Sequence, residues 1–264
     1  MSAPHLFDCI PMATHFYILT GASRGMGLAM AEQLLAPQHQ LLCISRHAND
    51  ALTLKAAQLK CTLTQWSLDL SDALSVSHQL AQWLQALDPI TIDSVTLINN
   101  AGVIPAIAPL RGSDPLELTR ALRVGLEAPM LLTGAFLKAT LHLQVPRKVL
   151  NISSGLGRRA MASQAAYCAA KAGLDHFTRC LALDEARVPN GAKVCALAPG
   201  VIDTDMQTQL RSATPDDFPD QSGFAHLKQS GQLTTASEAA KRVLAWLARP
   251  DFGQQAVADV RDAA

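Results

Sequence analysis

Short apolar segments typical of strands alternate with helical segments along almost the whole chain. We predict strands at 15–20, 41–45, 63–68, 94–98, 148–153, 193–197 and about 255–259. We predict helices at 25–35, 50–60, 71–87, 115–142, 163–186 and 235–248. Parallel strands need crossover helices, and these helices cover both faces of the sheet. The alternation therefore predicts a single α/β domain, with a doubly wound parallel sheet of about seven strands and helices on both faces.

The composition supports one large domain and argues against several classes of partner. The chain has 264 residues, 49% of them apolar, and 22 basic residues balance 22 acidic ones. This balance gives no reason to expect binding to nucleic acid or to a membrane surface. No apolar run approaches the length of a membrane span. We therefore expect the partners to be small molecules or further copies of the chain.

The cysteines, the histidines and the polar segments complete the outline of the chain. Six cysteines are scattered without a Cys-x-x-Cys pair, which predicts reduced thiols in a cytoplasmic protein. The eight histidines show no ligand-like spacing, so we expect no metal site. We predict an unstructured extension at 1–13 and a domain at 14–264, within which a polar insertion at about 204–232 covers the edge of the sheet.

A glycine-rich turn joins the first predicted strand to the first predicted helix. Its candidate contact residues are Gly21, Ser23, Arg24, Gly25, Met26 and Gly27. Glycines let the backbone approach a diphosphate, and the N–H groups at the start of the helix face its negative charge. The turn therefore predicts a Rossmann-type dinucleotide site. The alternative is a glycine-rich turn that binds nothing.

The end of the second strand indicates which dinucleotide is bound. An acidic residue at this point would hold the adenosine ribose of NAD. Here Ser45 is followed by Arg46, and Arg24 lies in the glycine turn. Arginine side chains at these places can bind a 2′-phosphate. The sequence therefore favours NADPH and NADP+ over NADH.

Tyr167 and Lys171 lie four residues apart in a predicted helix, so their side chains share one helix face. A free tyrosine titrates near pH ~10, and a neighbouring cation favours the phenolate. Such a phenol can exchange a proton with a carbonyl oxygen. On its own the pair also fits an ordinary amphipathic helix, because a Tyr-x-x-x-Lys pattern is common by chance.

The motifs together, in their order and spacing, resemble the short-chain dehydrogenase/reductase family. They are the glycine turn, the Asn-Asn-Ala-Gly run at 99–102, Ser154 thirteen residues before Tyr167, Lys171 and the segment 199–204. The resemblance covers nearly the whole chain after residue 13. Within the family, several stretches are most similar to sepiapterin reductases and bacterial benzil-type diketone reductases.

The resemblance implies a role for each motif. Ser154 is expected to hold the substrate carbonyl oxygen, Tyr167 to donate the proton, and Lys171 to lower the pKa of Tyr167 and bind the nicotinamide ribose. Cofactor contacts are also expected from residues that follow three other strands: Asp69, Leu70, Asn100, Ala101, Gly102, Pro199, Gly200, Ile202 and Thr204. The expected reaction is NADPH-dependent reduction of a ketone or vicinal diketone. Alternatives are a relative that acts on a 3-oxoacyl, sugar or steroid group, and a protein that binds NADP without catalysis.

Gly125 is a departure from the family pattern. Relatives usually carry an asparagine at this point, where it helps hold a water that relays protons to the lysine, whereas Gly125 has no side chain to offer. We expect either that a water or another polar group fills the gap, or that turnover is slower. The family resemblance also implies a homodimer or homotetramer, because the helices at 115–142 and 163–186 have apolar faces.

Asp259 follows the last predicted strand. In sepiapterin reductases an aspartate after this strand grips the amino-pyrimidine part of the pterin, and the resemblance puts Asp259 on that position. The alternative is a surface aspartate in a frayed tail.

Overall fold

The computed structural model describes residues 14–262, and these residues form one parallel sheet of seven strands. The strands are β1 (Thr14–Thr20), β2 (His39–Ser45), β3 (Thr62–Ser67), β4 (Ile92–Asn99), β5 (Arg147–Ile152), β6 (Lys193–Ala198) and β7 (Val257–Asp259). Their spatial order is β3-β2-β1-β4-β5-β6-β7, and every neighbouring pair is parallel. The predicted doubly wound sheet of a single α/β domain is confirmed. The extension predicted at 1–13 lies outside the described residues.

Nine α-helices connect these strands in the described part of the chain. They are α1 (Gly25–Leu34), α2 (Asp50–Gln58), α3 (Ala73–Gln85), α4 (Pro115–Leu122), α5 (Ala128–Thr140), α6 (Ala165–Glu185), α7 (Asp205–Ser212), α8 (Gln221–Gln229) and α9 (Ala236–Ala248). Single 3-10 turns lie at Leu70–Asp72, Pro89–Thr91, Leu110–Gly112 and Gly155–Gly157. Between residues 14 and 262, no helix is both long enough and apolar enough to span a membrane.

Both faces of the sheet are buried, which explains why its strands are apolar without a clear alternation. Successive side chains of a strand point to opposite faces. Ile18 and Leu42 belong to the core that α3 and α5 cover, whereas Leu19 and Cys43 belong to the core on the side of α1 and α9. The loops that leave the carboxyl ends of the strands therefore gather at one edge of a rigid sheet, where ligands of such folds bind.

The helix predicted at 115–142 is interrupted. The structure has α4, then a π-helical segment at Arg123–Glu127, then α5. The N–H of Ala128 donates to the carbonyl of Arg123, five residues earlier. Pro129 has no N–H to donate to the carbonyl of Gly125 four residues before it, so the regular α-helical ladder cannot continue through this point.

The insertion predicted at 204–232 folds into α7 and α8. Its base is closed by a parallel bridge between Ile202 and Thr234. Phe218, fully buried between the two helices, packs on Phe224 with 5.4 Å between the ring centroids. The segment is therefore anchored at its base and by its own small core, and it covers the carboxyl end of the sheet.

Candidate active site

The glycine turn after β1 has a geometry that only glycine allows at its main positions. Gly21 and Gly25 have φ angles of 71° and 58°, in the left-handed region that glycine adopts without strain. At Gly27 a Cβ atom would lie 2.0 Å from the carbonyl oxygen of Gly21. The turn is therefore tight, and backbone atoms rather than side chains form its surface. Helix α1 begins within the turn, at Gly25.

The loop after β4 is bonded to this turn. The Thr20 hydroxyl accepts hydrogen bonds from the N–H groups of Asn100 and Ala101, at 2.9 and 3.0 Å. The Asn100 side chain donates to the carbonyls of Thr20 and Gly21, at 3.0 and 3.2 Å. Chain connections leave β1 and β4 in opposite directions, so these two loops border the crevice in which doubly wound folds bind nucleotides.

A cavity of about 1010 Å³ runs along this crevice. Its lining includes every site residue predicted from the sequence: Gly21, Ser23, Arg24, Gly25, Met26, Gly27, Arg46, Asp69, Leu70, Asn100, Ala101, Gly102, Ser154, Tyr167, Lys171, Pro199, Gly200, Ile202, Thr204 and Asp259. Sequence reasoning missed the part of the lining that comes from the loop after β5 and from α7 and α8: Leu156, Arg158, Arg159, Met161, Gln207, Leu210 and Phe224. Their spacing carries no motif, and only the folded chain brings them together.

The two arginines expected at the adenosine end differ in their partners. The Arg24 guanidinium is bonded to Asp205 at 2.8 Å, and both side chains are exposed. Arg46 is exposed at the end of β2, and among residues 14–262 it forms no ion pair. Hydrogen bonds from Ser71 hold the pKa of Asp69 below its usual value, and the charges of Arg120 and Arg46 add to this lowering. Arg46 therefore has no ion pair among the described residues, and its charge acts on Asp69 through space.

Tyr167 and Lys171 lie on α6 beside the end of β5. The Lys171 ammonium donates to the carbonyl of Ile152 at 2.7 Å and lies 5.7 Å from the centroid of the Tyr167 ring. Ser154 follows β5 and caps the next turn, where its hydroxyl accepts from the N–H of Leu156 at 3.1 Å. The structure thus brings the three predicted catalytic side chains together at one end of the cavity.

The pKa of Tyr167 differs from the sequence-based expectation. Burial raises the pKa of Tyr167, and a hydrogen bond with Ser154 only partly opposes this rise. Burial also lowers the pKa of Lys171 to about 8, so the charged form of Lys171 is disfavoured in the folded chain. The pKa of Tyr167 therefore lies above its usual value in this structure, and a lowering of it by Lys171 stays a prediction. The physical reason is that removing both groups from water disfavours their charged forms.

Gly125 packs directly against α6. It is buried in the π-helical segment, and a Cβ atom added there would lie 3.1 Å from the Cβ of Ala170. A larger side chain at this position would require α6, the helix that carries Tyr167 and Lys171, to shift. Gly125 therefore packs closely against the helix that carries Tyr167 and Lys171. Slower proton relay stays a prediction.

Asp259 lies in the cavity wall and is buried, so the alternative of a frayed surface tail is wrong. Its carboxylate is engaged by Arg261, which donates from Nε at 2.7 Å and from Nη2 at 2.6 Å. Arg158 adds a longer contact at 3.4 Å. The Arg261 hydrogen bonds lower the pKa of Asp259. The carboxylate therefore faces the cavity as one half of an ion pair.

Known proteins resemble this chain over most of its length. The family model described as short chain dehydrogenase matches residues 15–215. A benzil reductase ((S)-benzoin forming) from Bacillus cereus is 35% identical over 90% of this chain and 96% of its own length. A sepiapterin reductase from Meriones unguiculatus is 31% identical over 93% of this chain and 95% of its own. Among solved structures, a putative 2-deoxy-D-gluconate 3-dehydrogenase from Agrobacterium tumefaciens with bound NADP has a TM-score of 0.76 at 25% identity, and the match covers 95% of this chain and 97% of that one.

Proposed function

This chain belongs to the short-chain dehydrogenase family, and we propose that it is an NADPH-dependent reductase of a ketone or vicinal diketone. It is an oxidoreductase related to benzil and sepiapterin reductases. The observation that carries the proposal is the convergence of Ser154, Tyr167 and Lys171 on the cavity that the glycine turn also lines. The relatives' names, benzil reductase and sepiapterin reductase, support carbonyl reduction as the reaction.

The three side chains have complementary tasks in this reaction. NADPH, when bound, supplies the hydride for the carbonyl carbon. The Ser154 hydroxyl donates a hydrogen bond to the carbonyl oxygen and orients it, and Tyr167 gives its proton to the same oxygen. Because burial raises the pKa of Tyr167, the phenol keeps its proton at neutral pH until a substrate oxygen can take it. The Lys171 ammonium stabilises the phenolate that this step leaves behind.

The residues present fit a phosphorylated dinucleotide. The glycine turn lines the cavity at the start of α1, where backbone N–H groups can bind a diphosphate. Arg46 supplies an available cation for a 2′-phosphate, and Arg24 can join it by leaving its exposed partner Asp205. An exposed ion pair of this kind is worth only about 0–1 kcal/mol, so its rearrangement costs little.

The substrate end favours an uncharged diketone over a pterin. The carboxylate of Asp259 is already bonded to both ends of the Arg261 fork. N–H groups of an amino-pyrimidine ring would have to displace that charged partner before they could bind. Apolar side chains line the same region, and they suit aryl or alkyl groups: Leu156, Met161, Leu210 and Phe224.

The test is a comparison of substrates with purified protein. NADPH oxidation is followed with 1-phenyl-1,2-propanedione, benzil, sepiapterin, a 3-oxoacyl thioester and a keto sugar. We expect the highest kcat/KM for a diketone and a clear preference for NADPH over NADH. Turnover of the sugar or thioester alone would move the assignment to another branch of the family, and turnover of none would contradict the proposal.

A pair of variants tests the role of Arg261. Arg261→Gln leaves the Asp259 carboxylate with only the longer contact from Arg158, so sepiapterin reduction should improve relative to diketone reduction. Adding Asp259→Asn should remove that gain. Arg242→Gln, which breaks an exposed pair with Glu238 on α9, is the control and should change neither ratio. A wild-type enzyme that already prefers sepiapterin would overturn the diketone assignment.

Assembly, compartment and domain extent are part of the same proposal. Large apolar side chains are exposed on the helices expected to pair, at Leu116, Leu122, Met130 and Leu183, which supports a homodimer at least. Free thiols, in the part of the chain that the structure describes, support a reducing compartment such as the cytoplasm. We assign the NADP-binding domain to residues 14–264.

A further inference from the structure

Asp175 lies on α6 in line with the two catalytic residues of that helix. Tyr167, Lys171 and Asp175 follow one another at intervals of four residues, so they share a face. Asp175 has 1% of its surface exposed. The reaction as proposed above gives it no task. A carboxylate removed from water is costly unless it is compensated, so its presence beside the active site needs a reason.

The Asp175 carboxylate is only half satisfied by hydrogen bonds. The Ser153 hydroxyl donates to Oδ1, and Ser153 is the residue immediately before the catalytic Ser154. Oδ2 is buried and has no hydrogen-bond partner among residues 14–262. A buried polar atom without a hydrogen-bond partner requires an explanation, and a catalytic role is one of them.

Gly157 encloses the free oxygen. A Cβ atom at Gly157 would lie 2.7 Å from Asp175 Oδ2 and 3.0 Å from the carbonyl oxygen of Lys171. The turn at Gly155–Gly157 therefore fits against α6 only because this position has no side chain. The backbone of Gly157 thus packs against both the Asp175 carboxylate and the carbonyl group of Lys171.

Charged groups from two elements act on Asp175. Lys171 and Arg179 lie on α6, at one helical turn on either side, and Arg158 comes from the loop after β5. On the other side of the sheet edge, the charge of Asp175 acts on the Cys195 thiol in β6. Arg158 also contacts Asp259, and Arg179 is exposed. Lys171 is thus the deeply buried cation of this group, and its ammonium has a neutral acceptor, the Ile152 carbonyl.

We propose that Asp175 is a positioning residue of the active site, a buried carboxylate one helical turn from Lys171 that keeps the Lys171 ammonium charged, held in place by Ser153 and enclosed by Gly157. The inference rests on the proposed function, because a charged Lys171 matters through its help to Tyr167. It adds a member to the site that touches neither substrate nor cofactor.

The sign of the effect follows from the charges. Burial lowers the pKa of Lys171 to about 8, and the negative charge of Asp175 opposes this lowering. Without that charge Lys171 loses its proton at a lower pH, so the alkaline limb of the kcat profile moves toward neutrality. Burial raises the pKa of Asp175 itself, whereas Ser153 and the neighbouring cations lower it. The test therefore belongs on the alkaline side, where the carboxylate is charged.

The main variant is Asp175→Asn, which keeps the shape and lets Ser153 donate to the amide oxygen. The matched control is Asp184→Asn, the same change at an exposed position of the same helix. Lysine Cε resonances of the ligand-free protein are titrated by 13C NMR, and kcat is measured from pH 6 to about 10 at saturating NADPH. We expect the midpoint of the Lys171 titration and the alkaline limb of the kcat profile to shift to lower pH by about one unit in Asp175→Asn. Neither should shift in Asp184→Asn.

Two further measurements separate charge from structure. Ser153→Ala keeps the carboxylate but removes the hydrogen bond that holds it, so it should move the alkaline limb less than Asp175→Asn does. In the wild type, the 13C chemical shift of the Asp175 carboxyl carbon should change as Lys171 titrates. This measurement uses no variant, so it decides the question even if Asp175→Asn fails to fold. An unmoved Lys171 midpoint in a folded Asp175→Asn, or no response of the Asp175 carbon, overturns the proposal. If the wild type reduces no carbonyl compound, the proposed function fails while the NMR titrations still decide the role of Asp175.

Discussion

The buried ammonium of Lys171 should make stability depend on pH in a direction that can be worked out. Lys171 has 4% of its surface exposed, and burial lowers its pKa from 10.5 to about 8. The unfolded chain therefore holds this proton more tightly than the folded chain between about pH 8 and 10.5. In that window the Lys171 side chain carries a proton in the unfolded state but not in the folded state, so folding releases a proton and becomes more favourable as pH rises. Lys171 therefore destabilises the fold near neutrality, and this cost disappears as pH rises.

The magnitude follows from the same two pKa values. A fall from 10.5 to about 8, at about 1.4 kcal/mol for each pKa unit, corresponds to about 3 kcal/mol between the two extremes of pH. Part of this cost is still present at pH 10 because the unfolded lysine is not fully deprotonated there. We therefore expect a change of about 2 kcal/mol between pH 7 and pH 10.

Lys171→Met isolates this contribution. Methionine keeps the length of the side chain without a charge, so its own contribution does not titrate. The free energy of unfolding in urea is measured for wild type and variant at pH 7 and pH 10, without cofactor. The wild type should gain about 2 kcal/mol relative to the variant over this range. Lys241→Met on α9, where the lysine is exposed, should show no such gain. A constant difference between wild type and Lys171→Met at both pH values would refute the reasoning.

Three other expectations concern chemistry, cofactor choice and assembly. Tyr167→Phe should lower kcat by about a hundredfold to ten-thousandfold with NADPH binding intact; equal turnover under saturating NADPH would favour a binding protein without catalysis. Arg24→Ala with Arg46→Ala should weaken NADPH binding by about tenfold or more and leave NADH unchanged in a fluorescence titration; an unchanged preference would contradict the 2′-phosphate assignment. Light scattering at micromolar concentration should give at least twice the 28.1 kDa of one chain, and Leu116→Glu with Leu183→Glu should reduce the mass to one chain; a wild type of one-chain mass would exclude the dimer.

The fold and the membership of the site could be predicted from local patterns. Each strand is a short apolar run, each crossover has helical periodicity, and the order of the motifs matches the order of the loops around one edge of the sheet. A parallel sheet leaves few ways to connect such elements. For that reason residues as distant in sequence as Gly21, Ser154 and Asp259 could be expected in one cavity.

The electrostatics of the site could not be predicted in the same way. The four-residue spacing of Tyr167 and Lys171 is visible in the sequence, but the sign of the Tyr167 pKa shift depends on burial, which the whole fold determines. Asp175 continues the same spacing, but nothing in the sequence indicates that it is buried. The fork from Arg261 to Asp259 depends on a turn after β7, in which the N–H of Arg261 also donates to the Asp259 carboxylate. Local turn chemistry of this kind has no periodic signal.

The distribution of charge along the cavity links the two ends of the site to different ligands. At the substrate end Arg158 and Arg261 both contact the carboxylate of Asp259. At the adenosine end the Arg46 charge is in no ion pair within residues 14–262. Under the proposed function, the 2′-phosphate of NADPH would therefore bind at the unpaired Arg46, and the apolar side chains would bind an uncharged carbonyl compound. The cofactor phosphate and the substrate would then contact different residues, so recognition of NADPH and choice of substrate could change independently.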